Sequence, residues 1–250
     1  MKTAIVMTYF NRQAQLMRTL ESFRKYDPKD FFVVVVDDGS EKDIALPEKM
    51  PFEVTIIKMR DKYWTQGIPA YNAGFFYALQ NNPDIVIIQN AESYHHGDIL
   101  KAARDNVKDN NYIVFGCYSQ GQGEELGNVF NDKGAGFDGE SAWYCHPVHR
   151  PKPYHFCSAI SADNLRRLNG FDERFSFGAG FDDDYLVHQI NSLGLEIFIT
   201  TNPIVIHQWH THNPYKGHDE AKLLRKNHLI LLSLIKDNNY RAKHIITADL

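Results

Sequence analysis

The sequence predicts an α/β protein with a mostly parallel sheet that is flanked by helices on both faces. Short apolar runs typical of buried strands alternate with segments whose apolar residues recur at helical spacing. Three of the apolar runs lead into the polar clusters "TYFNR", "DDGS" and "QNAE". Because parallel sheets bind ligands beyond the carboxyl ends of their strands, these clusters are expected to meet in space.

The first strand and the first helix are predicted within residues 4–23. Residues 4–8 form a short apolar run typical of a buried strand. Asn11 is positioned to cap the helix that follows. The inward face of that helix is predicted from spacing at i, i+4 and i+7, and it consists of Leu16, Leu20 and Phe23.

Four more strands and two helices are predicted between residues 31 and 118. The strands are the apolar runs "FFVVVVD", "FEVTIIKM", "DIVIIQ" and "YIVFGCY". Pro69 marks the start of one helix, whose inward face is predicted to consist of Ala73, Phe76 and Leu79. The other helix follows Gly97 and is predicted to present Ile99, Ala103 and Val107 on one face.

The second half of the chain is less regular. Residues 119–153 are rich in glycine, polar and aromatic residues with little periodicity, which indicates an irregular region over a site. A short helix is predicted to begin at Ser161 or Asp163 and to end at Gly170, and a longer one follows the loop "GFDERFSFGAG". "LEIFIT" predicts a strand, and residues 216–237 predict the last amphipathic helix.

Composition limits the classes of function. The chain has 250 residues, of which 43% are hydrophobic, and this suits one domain over residues 1–250. A net charge of −4 and a pI near 6.3 give no reason to expect a nucleic-acid surface. A local basic patch over residues 146–152 leaves that class of partner open.

Cysteine usage and the N-terminus bear on location. The three cysteines, Cys117, Cys145 and Cys157, form neither a CxxC pair nor a zinc-binding spacing. Their small, odd number indicates reduced thiols, so a cytoplasmic location is expected. The first apolar run is too short for a signal peptide, and no segment has the length and apolarity of a transmembrane helix.

Several motifs, in their order along the chain, resemble those of family 2 glycosyltransferases with the GT-A fold. They are "YFNR", "VVVVDDGS", "GIPAYNAGF", "QNAE", "FCSAISADNLRRLNGFDERF", "GFDDDYLVHQINSLG" and "VIHQWH", between Thr3 and His210. The resemblance implies transfer of a sugar, with inversion, from a nucleotide-diphospho-sugar, UDP-linked as the first expectation, to a hydroxyl acceptor such as a glycan. It also implies Mn²⁺ or Mg²⁺ on the diphosphate, a nucleotide-sugar-binding half at residues 1–115 and an acceptor-binding half at 116–250.

By this resemblance, a nucleotide pocket lies at the ends of the first two strands. The residues placed in it are Thr8, Tyr9, Asn11 and Arg12. Asp38, with Asp37 beside it, would accept a hydrogen bond from the N–H of the base. The alternative is that Asp37-Asp38-Gly39 is only a strand-ending turn.

The start of the predicted helix at Pro69 also resembles the family, with one departure. Gly67 and Asn72 match positions at the donor site, but Tyr71 stands where the family often has an arginine that contacts the diphosphate. Arg12 or Arg60 would then have to supply the positive charge. The alternative is a helix start chosen for packing.

The metal motif of the family is Asp-x-Asp, and this chain has Asn90-Ala91-Glu92 in its place. Glu92 keeps the metal-binding carboxylate, and Asn90 offers only an amide oxygen. His207 or His210 is expected to complete the ligands, since Mn²⁺ accepts imidazole. We therefore expect weak metal binding in the absence of the donor. His95 and His96 are further candidates.

The general base is expected in the acidic run before the helix that ends near Gly194. When Gly194 is set against the glycine of the family motif, Asp183 falls at the position of the family's base, and Asp182 is the alternative. A base near the sugar must take the proton of the acceptor hydroxyl. The competing interpretation is structural, because acids at a helix N-terminus favour the macrodipole and cap free N–H groups.

Two rival functions are also compatible with the sequence. Asn90 and Tyr71 are compatible with a metal-weak or inactive relative that only binds nucleotide sugars or glycans. A nucleotidyltransferase has a similar α/β layout, but the glycine-rich basic loop of that class is absent after the first strand. The resemblance leaves the donor sugar, the acceptor and the oligomeric state open.

Overall fold

The computed structural model describes residues 1–127, 130, 133–137, 139–211, 217–236 and 240–244. The described residues form nine strands: β1 Thr3–Tyr9, β2 Phe31–Asp37, β3 Val54–Lys58, β4 Ile85–Asn90, β5 Ser93–His96, β6 Asn111–Ser119, β7 Ala142–Cys145, β8 Cys157–Ser161 and β9 Glu196–His207. They also form six α-helices: α1 Gln13–Ser22, α2 Ile68–Gln80, α3 Ile99–Asn106, α4 Ala162–Leu168, α5 Asp182–Ser192 and α6 Glu220–Lys236. A 3₁₀ turn spans Glu173–Phe177.

One sheet runs through the molecule in the order β3-β2-β1-β4-β8-β6-β9-β5, with β7 paired to β6. The N-terminal half is parallel, because β1 pairs with β2 and β4, and β2 pairs with β3. Strands β8, β7 and β5 are antiparallel to their partners, and β6 pairs with β9 in parallel. The predicted α/β class with helices flanking a mostly parallel sheet is confirmed.

Helix α2 lies directly on this sheet. Gly74 permits the close approach, since a Cβ there would come within 2.6 Å of Val6 Cγ1 and 2.9 Å of Val36 Cγ2. Pro69 lies in the first turn of α2, as predicted. The close packing brings the N-terminal end of α2 to the carboxyl ends of the central strands.

Two local predictions for the helices were wrong. Asn11 does not cap α1: it has a φ of 51°, and Arg12 occupies the N-cap position without a side-chain capping bond. The Asn11 carboxamide instead accepts a hydrogen bond from the backbone N–H of Glu41 at 3.2 Å. Phe76 is 59% exposed, and Phe75 next to it is buried in the core.

The second half also differs in detail from its prediction. The runs "LEIFIT" and "PIVIH" form the single strand β9, because parallel pairing with β6 continues across a register shift between Phe115 and Gly116. Ser161 caps α4, and Asn169 ends it in the left-handed conformation just before Gly170. None of the helices in the described part of the chain is long and apolar enough to cross a membrane.

Candidate active site

The three polar strand ends meet in one cleft of about 470 Å³, as the sequence predicts. The cleft opens at the carboxyl ends of β1, β2 and β4. Nine of the predicted site residues line it: Thr8, Tyr9, Asn11, Arg12, Asp38, Gly67, Asn90, Glu92 and Asp182. The other six do not line it: Asp37, Asn72, Ala91, Asp183, His207 and His210. Two of those six, His207 and His210, lie next to Glu92, which does line the cleft.

Glu92, His207 and His210 form a cluster at the inner end of the cleft. Glu92 follows β4, and antiparallel pairing places Ser93 of β5 opposite His207 of β9. As a result, His207 Nε2 lies 3.4 Å and His210 Nε2 lies 3.5 Å from the same oxygen, Glu92 Oε1. Arg12 Nε approaches that oxygen at 3.6 Å.

The cluster is suited to a divalent cation. One donor atom from each of Glu92, His207 and His210 lies within 4.8 Å of the others, and all three residues are buried. Burial raises the pKa of Glu92, but hydrogen bonds from both histidines and the charges of His207 and Arg12 outweigh it. That pKa is therefore held well below its ordinary value, and the ligand is a carboxylate. Two imidazoles and a carboxylate favour Mn²⁺ or a later transition metal over Mg²⁺.

The two departures from the family pattern, Tyr71 and Asn90, contact each other. The Tyr71 hydroxyl lies 2.7 Å from Asn90 Oδ1 and 3.0 Å from the backbone oxygen of Gln89, and its single O–H proton is shared between these two oxygens. The amide oxygen of Asn90 thus accepts one hydrogen bond already, and as a neutral amide it is a weaker metal ligand than the aspartate of the family motif. Asn90 instead presents its N–H groups, which are donors for a hydroxyl or phosphate oxygen.

We predict that Tyr71→Phe lowers the free energy of unfolding by about 1 kcal/mol and weakens UDP binding, because the substitution leaves the oxygens of Asn90 and Gln89 without this donor. Chemical denaturation and calorimetric titration with UDP measure the two effects. Tyr77→Phe is a matched control on the same helix, since its hydroxyl faces Thr55 Oγ1 at 3.2 Å, outside the cleft. Equal effects of the two substitutions would contradict a specific role for the contact between Tyr71 and Asn90.

The three acids at the start of α5 point in different directions. Asp182 lines the cleft, and its Oδ1 accepts a hydrogen bond from Gln66 Nε2 at 3.2 Å. Asp183 Oδ1 accepts from both the backbone N–H and Nδ1 of His155, at 3.0 and 2.5 Å. Asp184 accepts from the hydroxyl of Tyr154 at 2.9 Å. Among the three, Asp182 is therefore the acid that faces the cleft.

The electrostatics of this group also single out Asp182. Burial, and after it the negative charge of Asp183, raises the pKa of Asp182 to about 6. Burial lowers the pKa of His155, but the charge and hydrogen bond of Asp183 outweigh it and leave that pKa raised. Asp183 is therefore held by its hydrogen bonds to His155, and Asp182 has a pKa suited to proton transfer near neutral pH.

The two aspartates at the end of β2, Asp37 within the strand and Asp38 just after it, have different surroundings. Asp38 lines the cleft, where Trp64 Nε1 donates to Oδ1 at 2.7 Å and Lys62 Nζ to Oδ2 at 2.6 Å. Each carboxylate oxygen retains a second acceptor position for a ligand. Asp37 is buried and accepts from the backbone N–H of Ser40 at 2.8 Å, which is the turn-forming contact.

Other predicted residues lie in packed surroundings. The Asn72 carboxamide bonds the backbone N–H and carbonyl of Phe171 and also Glu173 Oε1, so it joins α2 to the 3₁₀ turn. Ala91 is buried without exposure. Arg60 lines a separate groove beside α2. His95 is buried against Gln89 Oε1 at 2.7 Å, away from the Glu92 cluster.

Five further residues that were not predicted from the sequence line the cleft: Phe10, Lys62, Thr65, Gln66 and Thr211. Lys62, Thr65 and Gln66 belong to the loop between β3 and α2, and a loop at the end of a parallel strand is a signal that could have identified them. His155, the partner of Asp183, has no such local signal, because the contact depends on how β8 and α5 pack.

The family follows from the sequence together with this architecture. The family model described as glycosyl transferase family 2 matches residues 4–162. The chain belongs to glycosyl transferase family 2. It is a glycosyltransferase, and the matched region contains β1, β2 and β4 with the polar strand ends described above. No curated protein sequence matches the chain.

Solved structures of other glycosyltransferases share the fold. TarS residues 1–349 of S. aureus, in complex with UDP, is 12% identical with a TM-score of 0.63, over 100% of this chain and 68% of that one. The mannosyltransferase PcManGT of Pyrobaculum calidifontis, with GDP-Man and Mn²⁺, is 16% identical with a TM-score of 0.57, over 93% and 64%. The catalytic domain of Drosophila β1,4-galactosyltransferase 7, with xylobiose, is 14% identical with a TM-score of 0.55, over 90% and 80%. At these identities the likeness shows the GT-A fold.

Proposed function

We propose that the protein transfers a sugar from a nucleotide-diphospho-sugar, with UDP-linked donors as the first candidates, to a hydroxyl group of an acceptor. The observation that carries the proposal is the cleft, in which two cations, Arg12 and Lys62, lie together with Glu92 and Asp182. The similar structures that contain UDP and GDP-Man support a donor of this class. The donor would lie against residues 1–115, and the acceptor against residues 116–250.

The donor diphosphate is proposed to bind beside the Glu92 cluster. Glu92, His207 and His210 would hold a divalent cation, which when bound neutralises charge that builds on the departing diphosphate. Arg12 and Lys62 supply further positive charge at the same cleft, where the family often has an arginine in place of Tyr71. The side-chain N–H groups of Asn90 would donate hydrogen bonds to oxygens of the transferred sugar or of the phosphates.

Asp182 is proposed as the general base. The acceptor oxygen attacks the sugar C1, the bond from C1 to the diphosphate oxygen breaks, and the hydroxyl proton passes to the Asp182 carboxylate. A single displacement of this kind inverts the configuration at C1. The family resemblance places the base at Asp183, and the geometry favours Asp182, because Asp182 lines the cleft and Asp183 is bonded to His155.

A second candidate function is supported by one contact. Asn90-Ala91-Glu92 has one carboxylate where the family motif has two, and Tyr71 donates to the amide oxygen that replaces the other. A relative that binds donors without turnover would have this composition. Such a protein would bind UDP equally well with and without a metal ion.

The proposed transfer is tested by release of nucleoside diphosphate from a panel of nucleotide sugars, with Mn²⁺ and with a chelator. The expected result is release of UDP from a UDP-sugar that the chelator suppresses and Mn²⁺ restores. Binding of UDP without turnover under every condition would instead assign the second function. Release of pyrophosphate from a nucleoside triphosphate and a sugar phosphate would assign a nucleotidyltransferase.

A further inference from the structure

Helix α6 has apolar residues both on its packed side and on its exposed surface. Its inner side packs against α5 and the 3₁₀ turn with Asn227, Leu231 and Leu234 buried. On the other side, Leu229 is 58%, Leu232 47% and Ile235 43% exposed. These three residues follow one another at i+3 spacing, so they form one continuous surface patch. An apolar patch of this kind on a surface helix marks an interaction site.

The patch lies between basic residues. Arg225 and Lys236 continue the stripe of Leu229 and Leu232 at i, i+4, i+7 and i+11. Lys222 and Lys226 lie within one turn of Arg225, and the only acid of α6 is its first residue, Glu220. The chain as a whole has a net charge of −4, so this helix is a basic surface on an acidic protein.

We propose that the outer face of α6, made of Arg225, Leu229, Leu232, Ile235 and Lys236, binds an anionic membrane surface. Leucine and isoleucine side chains enter the boundary between headgroups and acyl chains, and the cations meet lipid phosphates. A second copy of this chain is a poorer occupant, because a symmetric contact would place these cations against each other. Nucleic acid is also poorer, because the centre of the face is apolar.

The inner side of α6 connects this surface to the cleft. Asn227 Nδ2 donates to the backbone oxygens of Phe175 and Gly180, both at 2.9 Å, and lies 3.3 Å from Gln66 Oε1. Gln66 in turn contacts Asp182. Membrane binding goes beyond the proposed function. Where that function also holds, the cleft would lie beside the lipid surface, which suits an acceptor carried on a membrane lipid.

Co-sedimentation with vesicles tests the proposal, with phosphatidylcholine alone and with added phosphatidylglycerol. Binding is expected only to the anionic vesicles and is expected to weaken as salt rises. Leu229→Ser and Leu232→Ser should each lower the partition coefficient about tenfold. Arg225→Glu should lower it about fivefold or more. Phe76→Ser and Lys42→Glu are matched controls, since both residues are exposed on other surfaces.

Two readouts separate this proposal from others. UDP binding and donor hydrolysis without vesicles should be unchanged in the α6 variants, so failure of vesicle binding is distinct from failure of the proposed transfer. Equal binding to neutral and anionic vesicles, or no binding, would overturn the proposal. Sedimentation equilibrium that shows a dimer lost in Leu229→Ser would assign the face to a second copy instead.

Discussion

Asp182→Asn is expected to lower the rate of sugar transfer by about 10²- to 10⁴-fold while the protein still binds UDP. The amide has nearly the volume of the carboxylate, but it cannot take the proton of the acceptor hydroxyl. Of the acids at the start of α5, Asp182 lines the cleft, so the catalytic loss should concentrate there. Rates are measured with saturating donor and acceptor, and UDP binding by calorimetry.

Neighbouring acids provide the controls for this substitution. Asp184→Asn changes a carboxylate that bonds Tyr154, and it should leave most of the activity. Asp183→Asn removes the charge that pairs with His155, and an intermediate loss is expected through the position and pKa of Asp182. Near-normal transfer by Asp182→Asn, with loss in Asp183→Asn, would restore Asp183 as the base, as the family resemblance predicts.

The pH profile adds a second readout of the same assignment. Because the pKa of Asp182 is raised to about 6 and a base acts only when deprotonated, kcat/KM should fall as the pH drops through about 6. Asp183→Asn removes a negative charge that raises this pKa, so the midpoint should move to lower pH. A midpoint that did not move in Asp183→Asn would contradict the coupling between the two carboxylates.

The sequence predicts the sheet and the cleft because both depend on short-range pattern. Apolar runs that alternate with helical segments require parallel strands, and parallel strands bring their polar ends together. That reasoning correctly placed Arg12, Asp38 and Glu92 in one cleft. The donor-site role of Asn72 came from the family resemblance alone and stays a prediction, since an asparagine at a helix start has the same local pattern whether it faces a ligand or bonds Phe171.

Long-range contacts set the parts of the site that local pattern does not predict. The sequence offered His207 or His210 as alternatives, and the pairing of β5 with β9 brings both to Glu92. Similarly, the choice between Asp182 and Asp183 depends on His155, which lies just before β8 and hydrogen-bonds one of the two carboxylates. Tyr71 and Asn90 look like separate losses in the sequence, and in the structure they form one hydrogen-bonded pair.

Glu92→Gln is expected to lower the affinity for Mn²⁺ by about 100-fold or more and to abolish metal-stimulated transfer. Glu92 is the only carboxylate in the cluster, and its charge is what holds Arg12, His207 and His210 around one oxygen. Calorimetric titration with Mn²⁺, in the presence and absence of UDP, measures the change. His218→Ala is the control, because it removes an exposed histidine that follows the cluster in the chain.

The ligand set also revises the expected strength of metal binding. A site with one carboxylate and one histidine would bind weakly without the donor, but two imidazoles are already within reach of Glu92. We therefore expect Mn²⁺ to bind the free protein measurably and Mg²⁺ much more weakly, with UDP increasing the affinity for both through its phosphates. The metal assignment would be wrong if Glu92→Gln bound Mn²⁺ like the unchanged protein. UDP binding that is indifferent to Mn²⁺ would favour the relative that binds donors without turnover, because only a shared ion couples the two affinities.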